Sequence, residues 1–380
     1  MTPLEYRLAS AFLRLVRIVA SVLPTHPDRV VLATARVSAL DGNLLYIHRA
    51  LLARHPEVDC VLLLEPYSYG LAGKLAYLAR LVRGMYHLQT AGLFVVDNAY
   101  LPIHVAPHRR TTTVVQVWHA AGALKRFGLD TSRPMAEPER TFLHRNYDAV
   151  VVGGDWTRGP YAAALRTPLE RVVALGWPRT DFFFDDAELA AARARVLAAY
   201  PALAERQVVL YAPTFRGRGI GKRAGPGLDA ARLRAALPAD HVLVLKTHPN
   251  LDPAATPTTG YDVVVDPAAE INELLAATDI LITDYSSSVV EFALLGRPII
   301  LLVGDLADYE QDPGLYLDYP TEMIGTQVTD TDGVIDAIAG RRFVLTGYDA
   351  FIDRQHGLAR GGASQRFIER FVRRAPAAGG

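Results

Sequence analysis

Cysteine occurs once, as Cys60 just before the apolar run VLLLEP. One thiol excludes an internal disulfide framework, and the reducing cytoplasm is the simplest compartment. Net charge is lacking too, because 40 Lys and Arg offset 40 Asp and Glu. That balance removes any bulk attraction to nucleic acid, so no nucleic-acid partner is expected. No apolar stretch is long enough to span a bilayer; residues 1–23 come nearest, but Glu5, Arg7, Arg14 and Arg17 interrupt them. They also lack the continuous apolar centre of a signal peptide. There is no G-x-x-x-x-G-K-[ST] P-loop, no G-x-G-x-x-G opening the first strand–helix unit and no G-x-S-x-G elbow. No close cluster of His, Cys and carboxylates has zinc-ligand spacing. A dinucleotide oxidoreductase is therefore disfavoured, no metal site is legible, and no cofactor is called for.

What is present is a folded chain: half its residues are hydrophobic and 21% charged. At 380 residues it exceeds one ordinary core, which suggests two domains. From Pro24 short apolar runs alternate with helical patterns. Strands are predicted at 30–33, 61–64, 93–97, 113–118, 149–152 and 172–175, then at 208–211, 241–246, 263–265, 280–283 and 299–302. Such alternation implies mostly parallel sheets covered on both faces. The expected fold is α/β: two Rossmann-like, doubly wound domains facing a cleft, with ligands beyond the carboxyl ends of the strands. The expected boundaries are an N-terminal helix over 1–23, an N-terminal domain over 24–185, a C-terminal domain over 186–350, and a final helix packing back, with a frayed tail, over 351–380.

In residues 1–23, Leu4, Leu8, Phe12, Leu15 and Val19 share one helical face, with the arginines largely on another. Such a helix either lies on anionic lipid or packs on its own domain. A second basic and apolar segment begins at Lys74. Together they make peripheral attachment to a membrane surface plausible.

Polar residues collect just after the predicted strands. His119, Lys125 and Arg126 follow one, Arg179 and Asp181 another, and Thr214, Arg216, Arg218 and Lys222 a third. Lys246 and His248 follow a fourth. Ser286, Ser287 and Ser288 stand where a short helix begins, with Gly296 and Pro298 to stop it. A helix N-terminus offers unpaired N–H groups and partial positive charge, and serine adds hydroxyls with little bulk. One serine would be enough for a cap, so three suggest a phosphate site. A lone histidine at a strand end is ordinarily a structural hydrogen-bonder, and GRGIGKR reads equally as a solvated loop.

These blocks, taken in order, resemble the CDP-glycerol glycerophosphotransferase family of teichoic acid synthesis. QVWHAAGALKRFG is similar to the family's Q-x-W-H-G-x-x-L-K signature. DNAYLP, GWPRTDFFF, VLYAPTFR, LKTHPN and TDYSSSVVEFALLGRPIILLVGDLADYEQDPGLYLDY arrive in the family's order, covering roughly residues 85 to 320. Ala120 and Ala121 depart from the pattern, where Gly and a small polar residue are usual.

The resemblance implies a GT-B-like fold and transfer of glycerol phosphate, or ribitol phosphate, from a CDP-alditol to a hydroxyl of a lipid-linked saccharide acceptor, with CMP leaving. By the match, His119 is the general base and His248 donates to the donor's phosphate. Ser286, Ser287 and Ser288 hold the diphosphate, with Arg216 or Lys246 adding charge. Glu291 contacts ribose or glycerol hydroxyls. Thr214 and Asp284 shape the cleft, Arg179 contacts phosphate or pairs with Asp181, and Trp118 and Lys125 lie on the acceptor side. Mg²⁺ carried by the donor phosphates is compatible with this reading. The expected location is the cytoplasm, peripheral on the inner face of the cell membrane. The absence of an appended domain favours a single-addition primase over a polymerase. A glycosyltransferase using a nucleotide sugar and an inactive binding scaffold are the alternatives on the same fold.

Overall fold

The computed structural model describes residues 3–65, 70–132, 135, 137–216, 223–225, 227–247 and 258–372 of the chain. The chain divides into two compact units. The first comprises Met1–Gly122, Arg126–Asp181 and Arg354–Gly380; the second comprises Ala123–Lys125 and Phe182–Asp353.

In the first unit the apolar runs become β1 (His26–Thr34), β2 (Asp59–Leu64), β3 (Ala91–Val96), β4 (Thr113–Gln116), β5 (Ala149–Val152) and β6 (Val172–Ala174). They form one parallel sheet in the order β2-β1-β3-β4-β5-β6. The chain first steps from β1 to β2 and then crosses to β3 on the other side. The carboxyl ends of β1 and β3 therefore flank the point where winding reverses, the usual ligand crevice of such sheets. Val31 and Leu32 are both fully buried, as are Val150, Val151 and Val152. Neighbouring residues point to opposite faces of a strand, so both faces are covered, which is why these strands read as unbroken apolar runs.

The second unit contains β7 (Gln207–Tyr211), the antiparallel pair β8 (Phe215–Arg216) and β9 (Arg223–Ala224), then β10 (His241–Lys246), β11 (Val263–Val265), β12 (Ile280–Thr283), β13 (Ile299–Leu302) and β14 (Thr326–Val328). Its main sheet is parallel, in the order β11-β10-β7-β12-β13-β14, so winding reverses between β7 and β12. The α/β, doubly wound reading is thus the observed fold, with the edge strand β14 added.

The helix Ala363–Phe371 packs on the first unit. Phe367 and Ile368 are buried in its core beside Leu44, Ile47 and Leu51 of the helix Gly42–Arg54. Asp181 caps it: its two carboxylate oxygens accept from the N–H groups of Ala363 and Ser364, both at 2.8 Å. The N-terminal helix Pro3–Ala20 buries Tyr6, Ser10, Leu13 and Ala20. Its other face stays open, with Leu4, Leu8, Leu15 and Val19 each 63–65% exposed and Phe12 39%. Of the two placements open to it, packing therefore does not cover the leucine face. Leu75 and Leu78 of the adjoining helix Gly70–Thr90 are also exposed. Among the described residues no helix is long and apolar enough to cross a membrane.

Candidate functional site

In the second unit the reversal point is built from the ends of β7 and β12. Thr214, three residues past β7, donates from its N–H and its Oγ1 to Asp284, each at 2.9 Å. Asp284 directly follows β12 and also pairs with Arg216 at 2.9 Å. Arg216 makes a second ion pair, 2.7 Å to Asp305. Its guanidinium lies 5.1 Å and 4.8 Å from the ring centres of Tyr285 and Tyr309, which stack on each other at 3.7 Å. Tyr285 donates to Asp305 and Tyr319 donates to the Asp284 carbonyl. Burial alone would lower the Arg216 pKa, but its bonds to Asp305 and the charge of Asp284 raise it overall. Burial raises Asp284 against the pull of Arg216 and Thr214.

Arg216, expected to add charge at the diphosphate, is held between the carboxylates of Asp284 and Asp305. Lys246 is similar: it is 6% exposed and its ammonium donates to the carbonyls of Thr247 and Pro267. Burial lowers its pKa. Arg216 ties the ends of β7 and β12 together, and Lys246 ties the end of β10 to the segment after β11.

The serines stand on this frame. Ser286 Oγ accepts from the N–H and the hydroxyl of Ser288, one residue ahead of the N-cap position, which is Ser287. Ser287 is half-buried and makes no cap bond. The helix they open, Ser288–Phe292, is five residues long and continues as a single 3₁₀ turn to Leu295. Gly296 ends it at φ 63°, where a side chain would be strained. Glu291 is buried and accepts from Asn272 at 3.4 Å. His248, with Arg218 and Lys222, lies outside the described residues.

In the first unit the corresponding point holds Arg36, which pairs with Asp41 and with the buried Asp97. His119 comes off the end of β4, and its Nδ1 lies 3.2 Å from the Asp97 carbonyl oxygen. A carbonyl only accepts, so Nδ1 donates, and in the neutral imidazole Nε2 carries the lone pair. Trp118 takes φ 53°, a left-handed conformation costly for a residue with a side chain. Its ring packs on His119 and Phe127, with centroids at 4.6 Å and 4.9 Å. Arg179 Nη1 donates to the His119 carbonyl at 2.9 Å, and the two carboxylate oxygens of Asp181 cap the helix Ala363–Phe371. Lys125 belongs to the second unit, bridged to Leu315. Among the described residues no group of three or more His, Cys, Asp or Glu could hold a metal ion.

A strand-end histidine in one unit and a serine turn in the other are shared by many α/β proteins, so comparison with known sequences decides the family. The profile of the CDP-Glycerol:Poly(glycerophosphate) glycerophosphotransferases matches residues 15–373. The chain belongs to this family. It is 34% identical over 315 residues to the teichoic acid ribitol-phosphate primase of Bacillus spizizenii, covering 80% of each. To the teichoic acid poly(ribitol-phosphate) polymerase of the same organism it is 33% identical over 357 residues, 92% of this chain but 57% of that one. The fold is that of the wall teichoic acid polymerase TagF, with a TM-score of 0.75 and 21% identity over 97% of this chain and 94% of that one.

For a glycerophosphotransferase-family chain, the missed residues matter as much as the expected ones. Asn43, Asp97 and Asp305 carry the geometry of the two reversal points, yet none stands in a strand-end cluster of cations and serines. Their partners lie 75, 22 and 89 residues away; Asp97 and Asp305 fall inside quoted motif blocks, but nothing there marks their partners.

Proposed function

We propose that this chain is an alditol-phosphate transferase. The acceptor's hydroxyl oxygen attacks the phosphorus that carries the alditol in a CDP-alditol. The phosphoanhydride bond breaks, CMP leaves, and the hydroxyl proton passes to His119 Nε2. The observation that carries the reading is the family match over residues 15–373. The bond from His119 Nδ1 to the Asp97 carbonyl supports it, since in the neutral imidazole it leaves the lone pair that a general base needs on Nε2. Both curated relatives described above are ribitol-phosphate enzymes, so the donor assigned is CDP-ribitol, with CDP-glycerol as the other arm of the test.

Ser287 and the neighbouring N–H groups receive the diphosphate, and His248 donates to it. Phosphoryl transfer asks mainly for positioning and charge neutralisation. With Arg216 and Lys246 committed elsewhere, those donors and any Mg²⁺ arriving with the donor supply it. The acceptor is a lipid-linked saccharide. The exposed leucine face of the helix Pro3–Ala20, with Arg7 and Arg14 also exposed, rests on the anionic inner surface of the cell membrane.

The test is incubation with CDP-ribitol, CDP-glycerol and nucleotide sugars in turn, beside a lipid-linked acceptor. CMP release with a CDP-alditol is expected. Nucleoside diphosphate from a sugar donor, with no CMP from either CDP-alditol, would turn the reading into a glycosyltransferase. His119→Gln is expected to lower CMP release by roughly 10²–10⁴-fold.

A further inference from the structure

Resting on the reading of His119 as the base, we propose that Asn43 is its positioning residue. The segment from Val117 to Gly122 runs on beyond the end of β4. Buried carbonyls must be paired, and here side chains pair them. Asn43 is 1% exposed, and its Nδ2 donates to the carbonyls of Val117 and Trp118, both at 2.9 Å. Its Oδ1 accepts from the N–H of Arg179 at 3.0 Å, and the guanidinium of that same Arg179 donates to the His119 carbonyl. Tyr161 donates to the carbonyls of Ala120 and Gly122. The Gln116 Oε1 accepts from the Trp118 N–H at 2.9 Å.

One carboxamide therefore touches two of these carbonyls directly and aims the group that holds the third. Each of its hydrogen-bonding positions described here is spent on the segment or on Arg179, and none faces solvent. The residue being held is strained: Trp118 keeps φ 53° only while its surroundings over-determine it. Both Asn43 and the adjoining Gly42, itself at φ 50°, open a helix. A Cβ on Gly42 would stand 3.2 Å from Arg179 Nη1, so that site has little room for a side chain beside the clamp. Loss of the clamp frees Trp118 to relax. The imidazole then moves off the Asp97 carbonyl, and the proton is no longer confined to Nδ1. A shift of about 1 Å in a reacting group costs on the order of 10²-fold in rate.

The experiment compares the full-length wild type, Asn43→Ala and Asn43→Asp. Histidine side-chain nitrogen NMR reads the tautomer of His119, assigned with His119→Gln. Turnover and CDP-alditol affinity are measured separately. The wild type is expected to show one tautomer with the proton on Nδ1. Asn43→Ala is expected to show a mixed tautomer, kcat lower by about 30–100-fold, and a Kd for the CDP-alditol within twofold of wild type. Asn43→Asp keeps the shape and the bond from Arg179 but loses both donors, so it should match Asn43→Ala; it also replaces that variant if alanine prevents folding. A folded variant with wild-type tautomer and wild-type kcat overturns the proposal. If instead His119→Gln keeps full turnover, the base assignment falls, while the tautomer spectrum still decides whether Asn43 positions the ring.

Discussion

At the scale of single residues, the same side-chain type does opposite jobs, and only its partners tell which. Arg216 stands in VLYAPTFR as an obvious phosphate cation. In the fold it is enclosed by Asp284, Asp305 and two tyrosine rings. Asp305 lies 89 residues further on, so no reading of the local sequence could have supplied it. Removing Arg216 leaves two carboxylates facing each other with little water. Arg216→Met is expected to destabilise the fold by about 3–5 kcal/mol, visible as a lower denaturant midpoint at unchanged slope. Arg216→Lys should recover only part of that, because an ammonium cannot span two carboxylates as a planar guanidinium does. A variant as stable as wild type would mean the pairs contribute nothing. His119 stood out at this scale because it follows a strand end; Asn43 did not, because its contacts are with residues 74 and 75 positions away.

At the scale of elements, the buried strands were the easiest to read. A strand covered on both faces shows as a continuous apolar run, as at β5, β12 and β13, and the half-exposed β2, β6 and β11 stood out by their apolar residues alone. The edge strand β14 escaped because Thr326–Val328 has three half-buried residues and no apolar run. The N-terminal helix shows the limit from the other side. Its period identified one apolar face, but the period alone does not say what that face meets. Lipid is the occupant assigned above, and replacement of Leu8 and Leu15 by Glu tests it. Both side chains are exposed, so folding stability should change by less than about 0.5 kcal/mol. Co-sedimentation with anionic phospholipid vesicles should fall sharply. Retained vesicle binding by the double variant would remove the helix from the membrane contact.

At the scale of the molecule, acid acts on the buried histidines of the first unit. Burial pushes His144 of the first unit down to about 4 and His104 down to about 3, and burial with nearby Arg29 and Arg83 takes His87 down to about 4. The unfolded chain, with histidines near 6.5, binds protons that the folded unit refuses. Their contribution to stability is therefore complete above about pH 6.5 and is lost as pH falls towards 4. For His144 the loss is of order 3 kcal/mol. Thermal unfolding followed from pH 7 to pH 4 should show a falling Tm, with a shallower slope in His144→Gln. An unchanged slope would show that the ring is not held neutral. The two-unit division was foreseeable from length and from the repeated alternation of strand and helix.

The return of the chain to its first unit at Arg354 has a consequence for biosynthesis. Phe367 and Ile368 complete a core whose other members lie before residue 152. A ribosome must therefore make the whole intervening unit before the first one can close. Until then an unfinished hydrophobic surface waits in the cell, a natural client for chaperones, and a nascent chain stopped near residue 360 would leave it open for good.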